Sequence, residues 1–252
     1  MAINVNTVYQ TVLSILNKEQ RGYMTPDEFN KVGTQVQLEI FEKYFEDLNQ
    51  QARVPQSDLN YADRLENIDE KVAIFKTFGN AAYNNVSPTP TNYFTLPTTD
   101  AYNQTVDLYR VGEVTYNNEV LIQRLQRNDF YTSEKSKLTK ATTTFPTYLY
   151  ENEKLFVKPD TIVSNVQVEY VRKPLSPVWG FMVGDLGQYE YDPSAYVSST
   201  PPSGSRNFEL HESEQPEVIL RILQYAGIII RDPQIVQAAA QQVQMDEINE
   251  KS

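Results

Sequence analysis

The sequence predicts an α+β fold: N- and C-terminal helices packed as a bundle, with a central antiparallel β-sheet domain and a long loop. Three observations predict it. Apolar residues recur at helical spacing through residues 1–80, they alternate with period two between residues 144 and 179, and helical spacing returns after residue 211. The expected organisation is therefore a helical part over 1–80, a β domain over 90–175 with a short inserted helix at about 128–138, a long loop over 176–210, and C-terminal helices over 211–252 that return to the bundle.

In chain order, Val5, Val8, Val12, Ile15 and Leu16 share one face of a first helix over residues 4–17. Thr25-Pro26-Asp27-Glu28 then starts a second helix: Thr25 caps, Pro26 fits the first turn, and Glu28 completes a capping box. It should run to residue 50, burying Phe29, Val32, Val36, Ile40, Tyr44 and Leu48, with Phe41 and Phe45 widening the stripe. So broad an apolar face needs two partners, for which the first helix and a neighbouring subunit are the candidates. Tyr61, Leu65, Ile68, Val72 and Phe75 mark a third helix from about residue 57, although the part after Asp69 also reads as extended.

Residues 84–92, with Pro88 and Pro90, are turn material, and 93–96 reads as a strand. Residues 106–116 form the longest strand of the first half; Gly112 marks a bulge, and Asn117-Asn118 a hairpin turn from which 119–122 return. Asn128 or Asp129 caps the short helix of 130–138. Three strand segments follow, 148–150, 154–158 and 166–172, read as one antiparallel meander. In the last, Val166, Val168 and Tyr170 face one side and Gln167, Glu169 and Val171 the other. Pro159 and Pro174 close the second and third.

Residues 180–204 hold four glycines, three prolines and three tyrosines, so little regular structure is expected there. Ser213 can cap a helix with Pro216 in its first turn and Ile219, Ile222, Leu223 and Ala226 on one face. Asp232-Pro233 starts a final helix carrying Ile235, Val236, Ala239, Val243 and Ile248.

Bulk composition narrows the function. No apolar run reaches the roughly 18 residues of a membrane span, and no secretory leader is expected from the first residues. With no cysteine, thiolate catalysis and sulfur metal sites are excluded; a reducing compartment fits, as does a virion or secreted coat protein. A single histidine, His211, leaves no serine triad and little material for zinc, and reads as a core or capping residue. No phosphate-binding glycine loop is present, and Asp100, Asp107 and Glu113 lack calcium-loop spacing. A carboxylate pair for sugar hydrolysis would depend on separation in space. The net charge of −11 opposes a protein that grips DNA by its backbone. Lys135, Lys137 and Lys140 form the densest basic cluster and read as a solvated helix face. Seventeen tyrosines favour a protein that works by contact.

Two features stand out for contact. Arg172-Lys173-Pro174-Leu175-Ser176-Pro177-Val178-Trp179 ends a strand in two basic residues and carries a stiffened path to the sole tryptophan. Trp179 is either a plug over the sheet edge or an anchor at a subunit interface. The loop that follows offers Tyr189, Tyr191 and Tyr196.

These residues also carry a resemblance. The segment from Arg172 to Trp179, the lead-in Phe208-Glu209-Leu210-His211, and the ending from Ala226-Gly227-Ile228-Ile229-Ile230-Arg231-Asp232-Pro233 through Gln241-Gln242-Val243-Gln244 are similar to those of ring proteins, the head-to-tail adaptors of tailed bacteriophages, and most of all those of crAss-like phages. The opening Tyr23-Met24-Thr25-Pro26-Asp27-Glu28-Phe29-Asn30 resembles the same family's start. The stretch from Phe130-Tyr131-Thr132 to Phe145-Pro146-Thr147-Tyr148 is similar to tubular adaptors of short-tailed phages. The resemblance implies a non-enzymatic virion protein without cofactor or metal, assembled in the host bacterial cytoplasm. It implies a homo-oligomeric, dodecameric ring in the neck below the portal protein. Genomic DNA would pass through its channel without sequence-specific binding, adjacent ring or tail-hub proteins would be partners, and no membrane is involved. Phe41, Phe45, Ile235, Val236, Ala239 and Val243 would then lie on portal-docking helices. Arg172, Lys173, Pro174, Trp179, Tyr189, Tyr191 and Tyr196 would form sheet-edge and loop interfaces. The alternative is another minor virion component, portal-associated or a carbohydrate-binding tail accessory protein.

Overall fold

A computed structural model describes residues 2–18, 23–51, 62–85, 92–99, 105, 107–198, 203–229, 241–242 and 244–245. It shows the α+β fold, divided into two compact units: a helical unit, Met1–Ile74 with Pro174–Ser252, and a β unit, Phe75–Lys173.

The helical unit contains α1 (Val5–Lys18), α2 (Pro26–Gln51), α3 (Ala62–Ala73) and α5 (Gln215–Ile229). The starts of α1 and α2 follow from their caps. Asn4 Oδ1 accepts from the Asn6 and Thr7 N–H groups, at 2.9 and 3.0 Å. At α2, Glu28 Oε2 accepts from Thr25 N–H (2.9 Å), and Thr25 Oγ1 accepts from Glu28 N–H (3.3 Å), closing the capping box. Helix α5 packs on α1 and α2, and α3 packs on α2. The broad apolar face of α2 is thus covered within one chain, which is why Phe29, Val36, Ile40, Phe41, Tyr44 and Phe45 are all buried. Tyr9 joins the buried face of α1, whereas Ile15, expected there, stays 38% exposed because it sits at the rim of the stripe. The N-terminal segment is tied to the C-terminal half by a bridge between Ile3 and Phe208.

The β unit is a closed barrel-like arrangement. One sheet runs β1 (Lys76–Asn80), β9 (Val166–Arg172), β4 (Leu108–Tyr116), β5 (Val120–Leu121); the other runs β2 (Ala82–Asn84), β3 (Tyr93–Thr95), β8 (Lys154–Lys158), β7 (Thr147–Glu151), β6 (Gln123–Arg124). The chain bends from the first sheet into the second at two corners. At Ala81, between β1 and β2, the N–H donates to the Val166 carbonyl (2.9 Å); at Ile122, between β5 and β6, it donates to the Val114 carbonyl (2.8 Å). The pairings therefore return to their starting strand, although β1, β2, β5 and β6 each pair on one side only among the described residues. All pairs are antiparallel except β6 with β7. Phe94, Val114, Ile122, Tyr148, Leu155, Val157, Ile162, Val166, Val168 and Tyr170 fill the interior.

Several expectations are corrected here. The meander of three strands does not form: β7 and β8 make a hairpin, but β9 lies in the other sheet between β1 and β4. The pattern of β9 is as expected, since alternation fixes which face is buried but not which strand lies alongside. Strands β1 and β2 occupy residues assigned to the helical part and to turn material. The inserted helix, α4 (Arg127–Ser133), begins and ends earlier than 128–138. Gln126, not Asn128 or Asp129, precedes it. It stops where serine and threonine hydroxyls take its last carbonyls: Ser133 Oγ donates to Phe130 O and Thr139 Oγ1 to Ser133 O, both at 3.0 Å. Residues 180–204 are not structureless, because β10 (Phe181–Val183) and β11 (Tyr189–Tyr191) pair as a hairpin. The final helix from Asp232 lies outside the described residues.

Local turn chemistry was read correctly. Asn117 and Asn118 both adopt positive φ, 52° and 58°, in the turn that Glu119 N–H closes on the Tyr116 carbonyl (3.2 Å). The register of β4 on β9 jumps between Val111 and Val114, and a side chain on Gly112 would come within 3.0 Å of the Glu169 carbonyl.

Candidate functional site

In the helical unit, the extended segments before and after the β10–β11 hairpin are held by side chains that imitate backbone. Gln37, buried on α2, donates through Nε2 to the Leu175 carbonyl (2.8 Å) and accepts from Glu209 N–H (2.9 Å). Glu209 Oε2 in turn accepts from Leu175 N–H (2.7 Å). Asn30, also on α2, accepts from Trp179 N–H (2.7 Å) and donates to the Trp179 carbonyl (3.3 Å). A helix presents few free backbone groups, so amide side chains have to pair with an extended strand lying across it.

Trp179 is buried at the hub of this arrangement. Its indole N–H donates to Asn6 Oδ1 on α1 (3.0 Å), and its ring centroid lies 4.4 Å from Tyr9, 5.7 Å from Tyr191 and 6.2 Å from Phe181. It is a core plug between α1 and the β10–β11 hairpin, packed on Tyr9 on one side and on Phe181 and Tyr191 on the other.

Beyond Trp179 the loop is pinned at its base. Ser205 Oγ accepts from Gly180 N–H (2.9 Å) and donates to the Asp192 carbonyl (2.6 Å). The Asp192 carboxylate accepts from Ser194 Oγ (2.6 Å), Ser194 N–H (3.0 Å) and Gly204 N–H (3.1 Å). Those bonds, the Ser194 hydroxyl first, hold its carboxyl below the ordinary range. Gly204 sits at φ +79°, and a side chain there would meet the Ala195 carbonyl at 2.4 Å. From this base the hairpin presents Met182, Val183, Tyr189 and, at its turn, Leu186, which is 93% exposed. Tyr191 is half-buried against Trp179, and Tyr196 lies under the Arg206 guanidinium at 4.2 Å.

The other sequence-predicted residues do not join this site. Arg172 and Lys173 end β9 in the β unit. The Arg172 guanidinium lies 5.8 Å from the Phe75 ring centre and donates to the Lys173 carbonyl (3.3 Å), while Lys173 is exposed. Pro174 is buried at the start of the returning helical unit. Phe41 and Phe45 pack edge-to-face at 5.1 Å inside the helical unit, so they are core in this chain instead of a free docking face. Ile235, Val236, Ala239 and Val243 lie outside the described residues. His211 is a cap: its Nδ1 accepts from Ser213 N–H (3.3 Å) ahead of α5.

One cluster was missed from sequence. Glu217 Oε1 pairs with Arg221 (2.8 Å) and Lys43 (3.4 Å), Arg221 reaches Glu39 (3.6 Å), and Lys71 contacts Glu214 (2.5 Å). Tyr225 donates to Glu39. Burial pushes the Glu214 carboxyl up. Burial acts on Glu217 as well, but Lys43 and Arg221 outweigh it and hold that carboxyl below its ordinary value. The network joins α2, α3 and α5 with the turn before it as an ionic staple. The spacing of Glu214, Glu217 and Arg221 on one helix face was its only sequence signal.

The β unit presents a second contact surface. Lys135, Lys137 and Lys140 are exposed, not on a helix face but on the turns after α4, with Leu138 97% and Phe145 76% exposed beside them. The chain's net charge of −11 resides in the helical unit, since acidic and basic residues nearly balance in Phe75–Lys173.

Among the described residues no group of acidic or histidine side chains could hold a metal ion, and no helix is long and apolar enough to cross a membrane. No protein-family model matches the chain, and no curated protein matches it.

Proposed function

We propose that this chain is a structural virion protein of a tailed bacteriophage. Its copies form an oligomeric, dodecameric ring in the head-to-tail connector, seated below the portal protein. The ring surrounds the DNA passage and docks the next ring or tail-hub component, within a particle assembled in the host bacterial cytoplasm.

One observation carries the reading. Large apolar side chains stand exposed instead of in a core: Met182, Val183 and Leu186 on the β10–β11 hairpin, and Leu138 and Phe145 on the barrel. Exposed apolar groups on ordered scaffolds are what a protein that works by contact must offer. The acidic balance supports the same role, because a channel protein of like charge does not stick to the nucleic acid that passes through it. The resemblance of the Arg172–Trp179 and Phe208–His211 segments to phage adaptors adds the place in the particle.

The test is native mass spectrometry, with two-dimensional class averages, of the protein alone and mixed with the portal protein. A closed ring in either sample is expected. A chain that stays monomeric beside the portal overturns the proposal.

A further inference from the structure

We propose that the loop of residues 134–145 on the barrel docks onto the acidic helical unit of a second copy of this chain. The proposal rests on the ring reading and names the two surfaces that meet in it.

The loop is built for presentation. Its backbone is held from within: Lys140 N–H donates to the Ser136 carbonyl (3.0 Å), Ala141 N–H to Glu134 Oε1 (3.3 Å), and Phe145 N–H to Thr142 Oγ1 (3.1 Å). Buried Phe130, Ala141 and Pro146 anchor the two ends. On this frame Leu138 projects almost wholly into solvent, flanked by Lys135, Lys137 and Lys140, which make no ion pair with any described residue. An apolar tip inside a ring of cations fits an apolar contact with a carboxylate rim.

Charge selects the occupant. The helical unit of this same chain carries the net negative charge, with Glu42 and Glu46 one turn apart and exposed on α2, and Asp69 and Glu70 exposed on α3, which packs on α2. Duplex DNA would meet the same lysines through its phosphates, but phosphates offer no apolar partner for the exposed Leu138 tip. A barrel-to-helix contact is heterologous: every copy offers both halves, so repetition propagates the contact, and it makes a ring when the rotation between copies closes.

The experiment uses the full chain. Unlabelled and isotope-labelled wild-type protein are mixed, assembled with the portal protein, and treated with a carbodiimide that couples lysine amines directly to carboxylates. Cross-links between labelled and unlabelled chains, from Lys135, Lys137 or Lys140 to carboxylates of the helical unit, are expected. Loop lysines that couple only to the portal, or only within their own barrel, overturn the contact. In parallel, Lys135→Glu/Lys137→Glu/Lys140→Glu should raise the Kd between copies about tenfold or more, with the effect shrinking in high salt. Leu138→Ala should raise it about tenfold at any salt. If both variants form rings as wild type does, this contact falls and the ring reading stands; a wild-type chain that never forms rings overturns both. Loss of duplex-DNA binding by the triple variant with its rings intact also overturns the contact and assigns the loop to phosphate.

Discussion

Trp179→Ala separates a core role from an interface role, the two readings the sequence left open. In the structure the indole is buried among Tyr9, Phe181 and Tyr191 and donates to Asn6. Truncating a buried tryptophan removes its transfer free energy and leaves a cavity, together about 3–5 kcal/mol. Trp179→Phe keeps most of the ring packing and loses the N–H bond, costing about 1–2 kcal/mol. Because Trp179 is the only tryptophan and lies in the helical unit, its fluorescence reports on that unit alone. The wild-type emission should be blue-shifted and resistant to acrylamide in the monomer. Urea unfolding followed by far-UV circular dichroism should place the helical transition of Trp179→Ala well below wild type, with Trp179→Phe between. An alanine variant that unfolds at the wild-type midpoint yet fails to assemble would refute the core assignment and restore the interface one.

Four further outcomes follow from the same unit. Gln37→Leu orphans the Leu175 carbonyl and the Glu209 N–H, each worth about 1–3 kcal/mol when left unpaired, so thermal unfolding of the helical unit should drop by roughly 5–15 °C. Gly204→Ala forces a side chain into a left-handed backbone and against the Ala195 carbonyl; loss of about 2 kcal/mol of local stability should speed hydrogen exchange at Gly180 and Ser205 about thirtyfold. Glu217→Gln should cost roughly 1–3 kcal/mol at neutral pH by removing the carboxylate that Arg221 and Lys43 share. Since the folded Glu217 carboxyl lies below its unfolded value, the wild-type advantage is present above the ordinary glutamate range and is lost as pH falls through the depressed folded value. Glu214 runs the other way: its raised carboxyl is a burden when ionised, so Glu214→Gln should compare worst with wild type in acid, where wild-type Glu214 is protonated.

What the sequence disclosed was local. The cap at Thr25, the Asn117-Asn118 turn, the Gly112 bulge and the alternation in β9 are each written in a few adjacent residues, and each is found as read. What it hid was pairing at long range. Nothing in 166–172 says that Lys76 lies opposite Val171, or that Ala81 and Ile122 turn one strand through two sheets. The contact residues divide in the same way. The tyrosines of the hairpin were visible as composition, whereas the burial of Trp179, Phe41 and Phe45 depended on helices arriving from the other end of the chain. Gln37 and Asn30 gave no signal, because an amide that imitates a backbone group looks in sequence like any surface amide.

The pairing of the barrel's first and last strands has a consequence for how the chain is assembled. The β unit interrupts the helical unit, leaving it at residue 74 and rejoining it at residue 174. Its boundary strands are antiparallel neighbours: Lys76 faces Val171, and Arg172 N–H donates to the Phe75 carbonyl (2.9 Å). Chain ends so placed lie about 5 Å apart, so the helical unit receives the whole barrel through a gap that a short turn could span. The barrel also owns its core. Excised Phe75–Lys173 should therefore fold alone, with slow kinetics set by its long-range pairings. The helical unit with a brief Gly-Ser turn in its place should keep a buried Trp179. Near-UV circular dichroism from the barrel's tyrosines and dispersed amide resonances would report the first, and blue-shifted fluorescence the second. An excised barrel that stays unfolded while the full chain is stable would show that its closure depends on the helices and refute its independence.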